Sequence, residues 1–366
     1  MSENSKIEWC DHTFNPWEGC QKVGPGCDHC YAEARNVRFA GGIAANWGPG
    51  APRRRTSPAN WRKPLAWNAQ PFVECAACRW RGPRRNFVRR GPNDLLWEMC
   101  PSCGGVEFTP ARARVFCASL ADVFDNAIDP AWRADLFDLI ERTPNLDWLL
   151  LTKRVGNVMS MVSEAAQYQF DLDRVEQPRL HNNVWIGATI VNQAEADRDI
   201  PKLLGVPARV RFLSMEPLLG PVDLTGEWLA HRCGGEYPFP KLEPEHRTRM
   251  IDLIDWVIVG GESGTDARPI HPDWARDLRD QCAAAGVPFL FKQWGEWAPG
   301  ENCGGPPTRT ERVADWWNDE WKFSTLAPSA HDGLTYDDEP TVYRIGKNTA
   351  GRHLDGRSHD AFPEPR

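Results

Sequence analysis

The chain has 366 residues, a net charge of −7 and 12 cysteines. At ~150 residues per domain this is about two domains or one large one, long enough to bury a core without disulfide staples. Mean hydropathy is −0.53, no apolar run approaches the ~20 residues of a membrane-spanning helix, and the opening MSENSKIEWC lacks the basic and apolar regions of a secretory signal. The expectation is a soluble, cytoplasmic protein with no membrane partner. In a reducing cytosol, cysteines in this number point to metal ligands rather than to a disulfide framework. The 18 tryptophans read mostly as core and interface anchors. Charge is uneven: residues 52–90 hold eleven Arg/Lys and one acid, Glu74, a net +10 that leaves −17 on the remainder.

In chain order, the sequence predicts a first strand near Thr13–Trp17 and a helix near Tyr31–Arg38. A Gly/Pro/Arg-rich stretch follows at 41–64, then a cysteine-bounded unit at 75–103. From about residue 112 short β-rich apolar runs alternate with helical stretches. The runs are Arg114–Ser119, Asp147–Thr152, Asn183–Thr189, Val210–Ser214, Asp255–Gly260 and Val287–Lys292, with helices such as Pro130–Arg142, Gln193–Leu204 and Pro272–Ala285 between them. Near-continuous hydrophobic strands separated by helices imply a parallel sheet covered on both faces. The predicted class is α/β, a partial or full parallel βα barrel resembling a TIM barrel, with a doubly wound sheet as the alternative. No G-x-G-x-x-G follows a first strand, which counts against dinucleotide binding. The predicted division is a barrel from 1–74 and 104–295, an inserted four-cysteine zinc ribbon at 75–103, and an extension at 296–366 packed on the barrel. In that extension Tyr343–Gly356 reads as a surface hairpin, with Lys347 and Arg352 able to reach an anionic ligand.

Polar residues close several runs: Ser119 and Asp122, Lys153 and Arg154, Glu216, and Glu262 with Ser263. In parallel α/β folds the carboxyl ends of strands converge on the ligand site, which favours a shared pocket over unrelated helix caps.

Two cysteine constellations carry the chemistry. Cys20, Cys27 and Cys30 are spaced C-x6-C-x2-C. Three thiolates on one loop can ligate three irons of a four-iron cluster and leave the fourth open to a cofactor. With His12 or His29 they would equally complete a tetrahedral zinc site, and spacing leaves both open. Cys75-x2-Cys78 and Cys100-x2-Cys103 read as the two knuckles of a four-cysteine zinc ribbon. Arg79, Arg81, Arg84, Arg85, Arg89 and Arg90 lie between them, interleaved with Trp80 and Phe87. That pattern suits phosphate contact and base stacking; a solvated basic face is the plainer alternative. Cys10, Cys117, Cys233, Cys282 and Cys303 show no pairing pattern, and Cys117 and Cys282 read as core residues.

The string Asn15-Pro16-x-x-Gly19-Cys20 … Cys27-x-x-Cys30-Tyr31-Ala32 resembles the cluster-binding loop of radical S-adenosylmethionine (SAM) enzymes. It is most similar to their spore photoproduct lyase branch, and nearer still to a phage-associated family of three-cysteine-motif proteins. Leu151–Arg154 (LTKR), Ser214–Leu224 (SMEPLLGPVDL), Asp255–Gly264 (DWVIVGGESG) and Phe291–Trp297 (FKQWGEW) extend that resemblance over most of the chain outside residues 75–103. It departs at one point: the usual loop is shorter between its first two cysteines than the six residues found here.

The resemblance implies a [4Fe–4S] cluster on Cys20, Cys27 and Cys30, with SAM on the open iron. It implies reductive cleavage to a 5′-deoxyadenosyl radical, an external electron donor and possible action with a separately encoded protein. It places Ser119 and Asp122 at the methionyl amine, Lys153 at a carboxylate, Glu216 at ribose hydroxyls, and Glu262 and Ser263 at cofactor or substrate. The backbone of His29 falls near the adenine. With the basic stretch it points to nucleic acid or a nucleotide as substrate. Two readings from other classes stand beside it: a non-catalytic, zinc-dependent nucleic-acid-binding protein, and a metal-dependent nuclease using Asp122, Glu216 and Glu262.

Overall fold

The computed structural model describes residues 5–90, 96–170, 180–226, 249–303, 312–325 and 340–364; Cys233 lies outside them. Seven strands form one sheet: β1 (His12–Thr13), β2 (Ala113–Cys117), β3 (Leu146–Thr152), β4 (Val184–Thr189), β5 (Val210–Met215), β6 (Trp256–Gly260) and β7 (Phe289–Gln293). Their order across the sheet is their order in the chain, from β1 at one edge to β7 at the other. Between them run α1 (Tyr31–Phe39), α2 (Pro130–Glu141), α3 (Val158–Phe170), α4 (Gln193–Leu204) and α5 (Pro272–Ala285). The architecture is therefore mixed α/β on a parallel sheet. Residues on both faces of β2, β4 and β6 are buried throughout, so these strands read as unbroken apolar runs rather than alternating ones.

The chain divides into two compact units. The first comprises Met1–Cys20, Ala45–Leu151 and Asn157–Trp185; the second comprises Gln21–Ala44, Thr152–Gly156 and Ile186–Arg366. In the first unit β1 pairs with β2 (His12 opposite Val115) and β2 with β3 (Phe116 opposite Leu149). In the second, β5 pairs with β6 (Leu213 opposite Val257) and β6 with β7 (Ile258 opposite Leu290).

The predicted first strand is corrected. Only His12–Thr13 joins the parallel sheet, and Trp17–Glu18 pairs antiparallel with Arg54–Arg55 instead. Pro16 between them lacks the N–H that a continuing ladder requires.

Helix starts follow local chemistry. Asp129 caps α2 by accepting from the Ala131 N–H (2.9 Å), with Pro130 at the first helical position. Asn192 caps α4 through the Glu195 N–H (3.0 Å), and Gly286, at φ +68°, ends α5 in the left-handed conformation.

The extension after β7 forms a four-stranded antiparallel sheet in the order Trp297–Pro299, Thr341–Arg344, Arg312–Trp317, Glu320–Thr325. The chain end then packs on β6 and β7: Trp256 Nε1 donates to Ala361 O (2.9 Å) and the Phe291 N–H to His359 O (3.0 Å). The hairpin expected at Tyr343–Gly356 is not formed. Its first residues belong to the strand Thr341–Arg344, and a short helix, Lys347–Ala350, follows between Gly346 and Gly351. Arg352 pairs with Asp360. No described helix is long and apolar enough to cross a membrane.

Candidate functional site

The four-cysteine unit is a small β structure in the first unit. Phe72–Cys75 is the middle strand between Arg81–Pro83 and Phe108–Pro110. Its core is Val73, Phe87 and the buried cysteines Cys75 and Cys100, with Trp80 and Phe108 packed against them. The two knuckles are built alike. The Arg79 N–H bonds Cys75 O (2.9 Å) and the Gly104 N–H bonds Cys100 O (2.9 Å). In each, the residue after the second cysteine is left-handed, Arg79 at φ +62° and Gly104 at φ +75°. The result brings all four sulfurs within 4.8 Å of one another, with Cys75 Sγ 3.7 Å from Cys103 Sγ and Cys78 Sγ 3.6 Å from Cys100 Sγ. Burial raises the Cys100 thiol, yet the N–H groups of Cys103 and Ser102 and the neighbouring thiols outweigh it and bring it down to about 7. Such a set could hold a metal ion. Among the described residues it is the only group of three or more Cys, His, Asp or Glu so gathered.

Several arginines of the basic stretch are ion-paired, and three of these, Arg54, Arg79 and Arg84, are also exposed. Arg79 and Arg81 both reach Glu74 (2.6 and 2.8 Å), and Arg81 also reaches Asp11 (3.4 Å) and donates to Arg112 O (2.6 Å). Arg84 forms a two-pronged pair with Glu98 (3.0 and 2.9 Å). Upstream, Arg53 is buried on Asp125 (2.7 Å), Arg54 pairs with Glu18 and Arg55 with Asp135 (2.6 Å). Arg85 is exposed; the side chains of Arg89 and Arg90 are outside those described. Five acids from outside the stretch, Asp11, Glu18, Glu98, Asp125 and Asp135, thus offset part of the charge excess read from sequence.

At the end of β2, Ser119 bonds Asn15 Nδ2 (3.0 Å), and Asn15 Oδ1 accepts from the Leu120 N–H (2.8 Å). Asp122 is buried and accepts from the Phe124 N–H (2.9 Å). His12 is buried and stacks on Trp67 (4.4 Å between centroids). Cys20 belongs to this unit; its carbonyl accepts from the Gly48 N–H (2.9 Å).

The second unit holds Cys27 and Cys30 on a loop that leads into α1, with Cys30 at the helix cap. The loop lies against residues that follow β3, β4 and β5. A Cβ on Gly24 would come 2.7 Å from Glu195 Oε1; one on Gly26 would come 2.7 Å from Val191 Cγ1 and 3.5 Å from Lys153 Cε. Only a backbone without side chains fits that closely. Arg154 donates to Gln21 O (2.9 Å) at the loop's start.

Arg268 spans the loop's middle, donating to Pro25 O (2.9 Å), Asp28 Oδ2 (3.2 Å) and both oxygens of Glu262 (2.9 and 2.7 Å). Glu262 Oε2 also bonds His29 Nδ1 (2.9 Å). Burial alone would raise the Glu262 carboxyl; the bonds from Arg268 and His29 prevail and hold it below the usual carboxylate range. Glu195 shows the opposite balance. Its burial pushes the carboxyl up against the lowering pull of the Val191 N–H (3.1 Å).

The remaining predicted residues of this unit also have partners. Lys153 reaches Thr189 Oγ1 (3.4 Å), Glu216 pairs with Lys292 (2.8 Å), and Ser263 Oγ accepts from Gln293 Nε2 (3.1 Å). Gly260 leaves room for Glu216, since a Cβ there would lie 2.8 Å from its Oε1. Lys153, Glu216, Glu262 and Ser263 thus all stand after parallel strands of the sheet. Arg268, Lys292 and Asn15 escape the sequence reading as site residues. Each acts through a partner distant in the chain, and no local spacing marks it.

No curated protein and no solved structure matches the chain. One family matches residues 4–363, almost its whole length, and the chain belongs to it: the family described as Protein of unknown function (DUF5131).

Proposed function

We propose that this protein is a radical SAM iron–sulfur enzyme carrying a separate zinc-bearing ribbon. One observation carries the reading: the glycine loop of Cys27 and Cys30 is seated on residues that follow successive parallel strands, where α/β folds of this kind place their ligands. Cys20, Cys27 and Cys30 would hold the cluster. When bound, the cluster with SAM supplies one-electron reductive cleavage and a 5′-deoxyadenosyl radical, with electrons from an external donor. The protein's own residues fix the loop through Arg268, Glu262 and Arg154. They also offer both charges beyond the strand ends, Lys153 after β3 and Glu195 after β4, each beside the loop's glycines, which suits a zwitterionic amino-acid group.

The ribbon's sulfur spacing suits zinc. A single tetrahedral zinc with bonds of about 2.3 Å sets its thiolates about 3.8 Å apart, and the ribbon pairs stand at 3.7 and 3.6 Å. The nuclease reading needs bare carboxylates, whereas Glu216 and Glu262 are paired with Lys292 and Arg268. Arg54, Arg79 and Arg84 stand beside acids yet are more than half exposed, so nucleic acid or a nucleotide stays the substrate class that the basic stretch suits.

Anaerobic reconstitution with ferrous iron and sulfide tests it. The expected result is about four irons per chain, lost in C20S, C27S and C30S while zinc is retained. Equal iron in wild type and variants, or none in folded wild type, overturns the reading.

A further inference from the structure

We infer that Arg268 and Glu262 are positioning residues that pre-form the Cys27–Cys30 metal loop, so that Glu262 acts on the loop, through the His29 side chain and Arg268, rather than on the cofactor. The inference rests on the reading that Cys27 and Cys30 are metal ligands. Arg268 and Glu262 touch the loop on both sides of Cys27: Pro25 O and Asp28 Oδ2 through Arg268 (2.9 and 3.2 Å), and His29 Nδ1 through Glu262 (2.9 Å). Cys30 is the next residue. The carboxylate is fully used, with Oε1 bonded to Nη2 of Arg268 and Oε2 to its backbone N–H (2.8 Å), its Nε and His29.

The opposite face of the loop cannot shift inward, because the backbone at Gly24 and Gly26 is already pressed against Glu195 and Val191. The loop is therefore held by Arg268 and Glu262 and packed closely at Gly24 and Gly26 before any metal arrives. Residues that orient ligands from outside a metal's own shell typically change metal affinity 10–100-fold. A lysine at 268 keeps the charge but cannot reach a carbonyl and two carboxylates at once.

The test is the rate at which reconstituted full-length protein gives up iron to a ferrous chelator, with the paramagnetic spectrum of the reduced cluster recorded with and without SAM. The expected result is iron loss roughly 10–100-fold faster in R268Q and E262Q, an intermediate rate in R268K, and unchanged zinc. The clusters that remain in E262Q should still change their spectrum on adding SAM. If Glu262 instead contacts SAM, E262Q keeps iron as wild type does and loses the SAM-induced change, which overturns the inference.

His29 gives a milder second pair should the first variants misfold. H29A should hasten iron loss and H29N, which restores a donor near Nδ1, should reverse it; equal rates in both would also overturn the inference. Wild-type protein that takes up no iron refutes the proposed function itself, a result distinct from either.

Discussion

Arg53 offers a sharp test of how the basic stretch is used. Its side chain is 1 % exposed and that of its partner Asp125 0 %, with Nε donating to Oδ2 at 2.7 Å. Nη1 donates to Ala51 O (2.8 Å) and lies 3.4 Å from Asn46 O. Gly19, at φ +114°, packs on the side chain so closely that a Cβ would sit 3.0 Å from Arg53 Cδ. Replacing Arg53 with methionine leaves a buried carboxylate without its counter-charge, a loss of about 3–5 kcal/mol. For a unit of this size each kcal/mol lowers the melting temperature by about 2–4 °C, so R53M should melt roughly 6–20 °C lower in a calorimetric scan. Replacing both partners, R53M with D125L, should recover most of the loss, because an apolar pair leaves no charge stranded. A loss below ~1 kcal/mol would be the signature of an exposed pair. It would refute the reasoning and return Arg53 to the pool of residues available to a ligand.

Other consequences are measurable in the same way. Burial holds the His271 imidazole below its ordinary value of 6.5, and Nδ1 caps α5 by accepting from the Asp273 N–H (3.2 Å). The unfolded chain therefore takes the proton first, so this contribution to stability is complete above about pH 6.5 and is lost as pH falls through the folded value. H271N keeps a good cap, and its urea midpoint should drop less than wild type's between pH 7.5 and 5.5; an equal drop would deny His271 that role. G26A drives a methyl to 2.7 Å from Val191 Cγ1; it should destabilise by about 1–3 kcal/mol and speed iron loss, and wild-type values for both would show that the loop has slack. C78S and C103S should each abolish zinc retention and open residues 72–110 to proteolysis, since structural zinc supplies about 10–16 kcal/mol of folding free energy. Resistance equal to wild type would mean that the small core of Val73, Phe87, Trp80 and Phe108 suffices alone.

The parallel sheet was legible because each strand is buried on both faces and reads as one apolar run. Val210–Met215 and Trp256–Gly260 lie within a residue of their predicted bounds, and α4 and α5 match theirs. Their caps, Asn192 and His271–Pro272, are local signals. The cysteine knuckles were legible for the same reason, since C-x2-C encodes a turn within itself.

What escaped was set by distance along the chain. The Arg53–Asp125 pair spans 72 residues and the His29–Glu262 bond 233, so a count of charges over 52–90 could not reveal that Arg53 is buried on an acid. Glu262 shows this most clearly. Its place after β6 marked it as a site residue, but only the fold shows Arg268 and His29 taking up its oxygens. In the extension, Arg312–Trp317 and Glu320–Thr325 flank a two-residue turn, Asn318–Asp319, with both residues at positive φ, a local hairpin signal that the sequence reading passed over; Trp297–Pro299 and Thr341–Arg344 pair across more than forty residues of chain.

The most direct measurement is electron paramagnetic resonance on anaerobically reconstituted, dithionite-reduced protein, with and without SAM. The account predicts a reduced four-iron signal that changes shape when SAM is added. A silent spectrum from folded, iron-reconstituted protein, or a cluster signal indifferent to SAM, would contradict it.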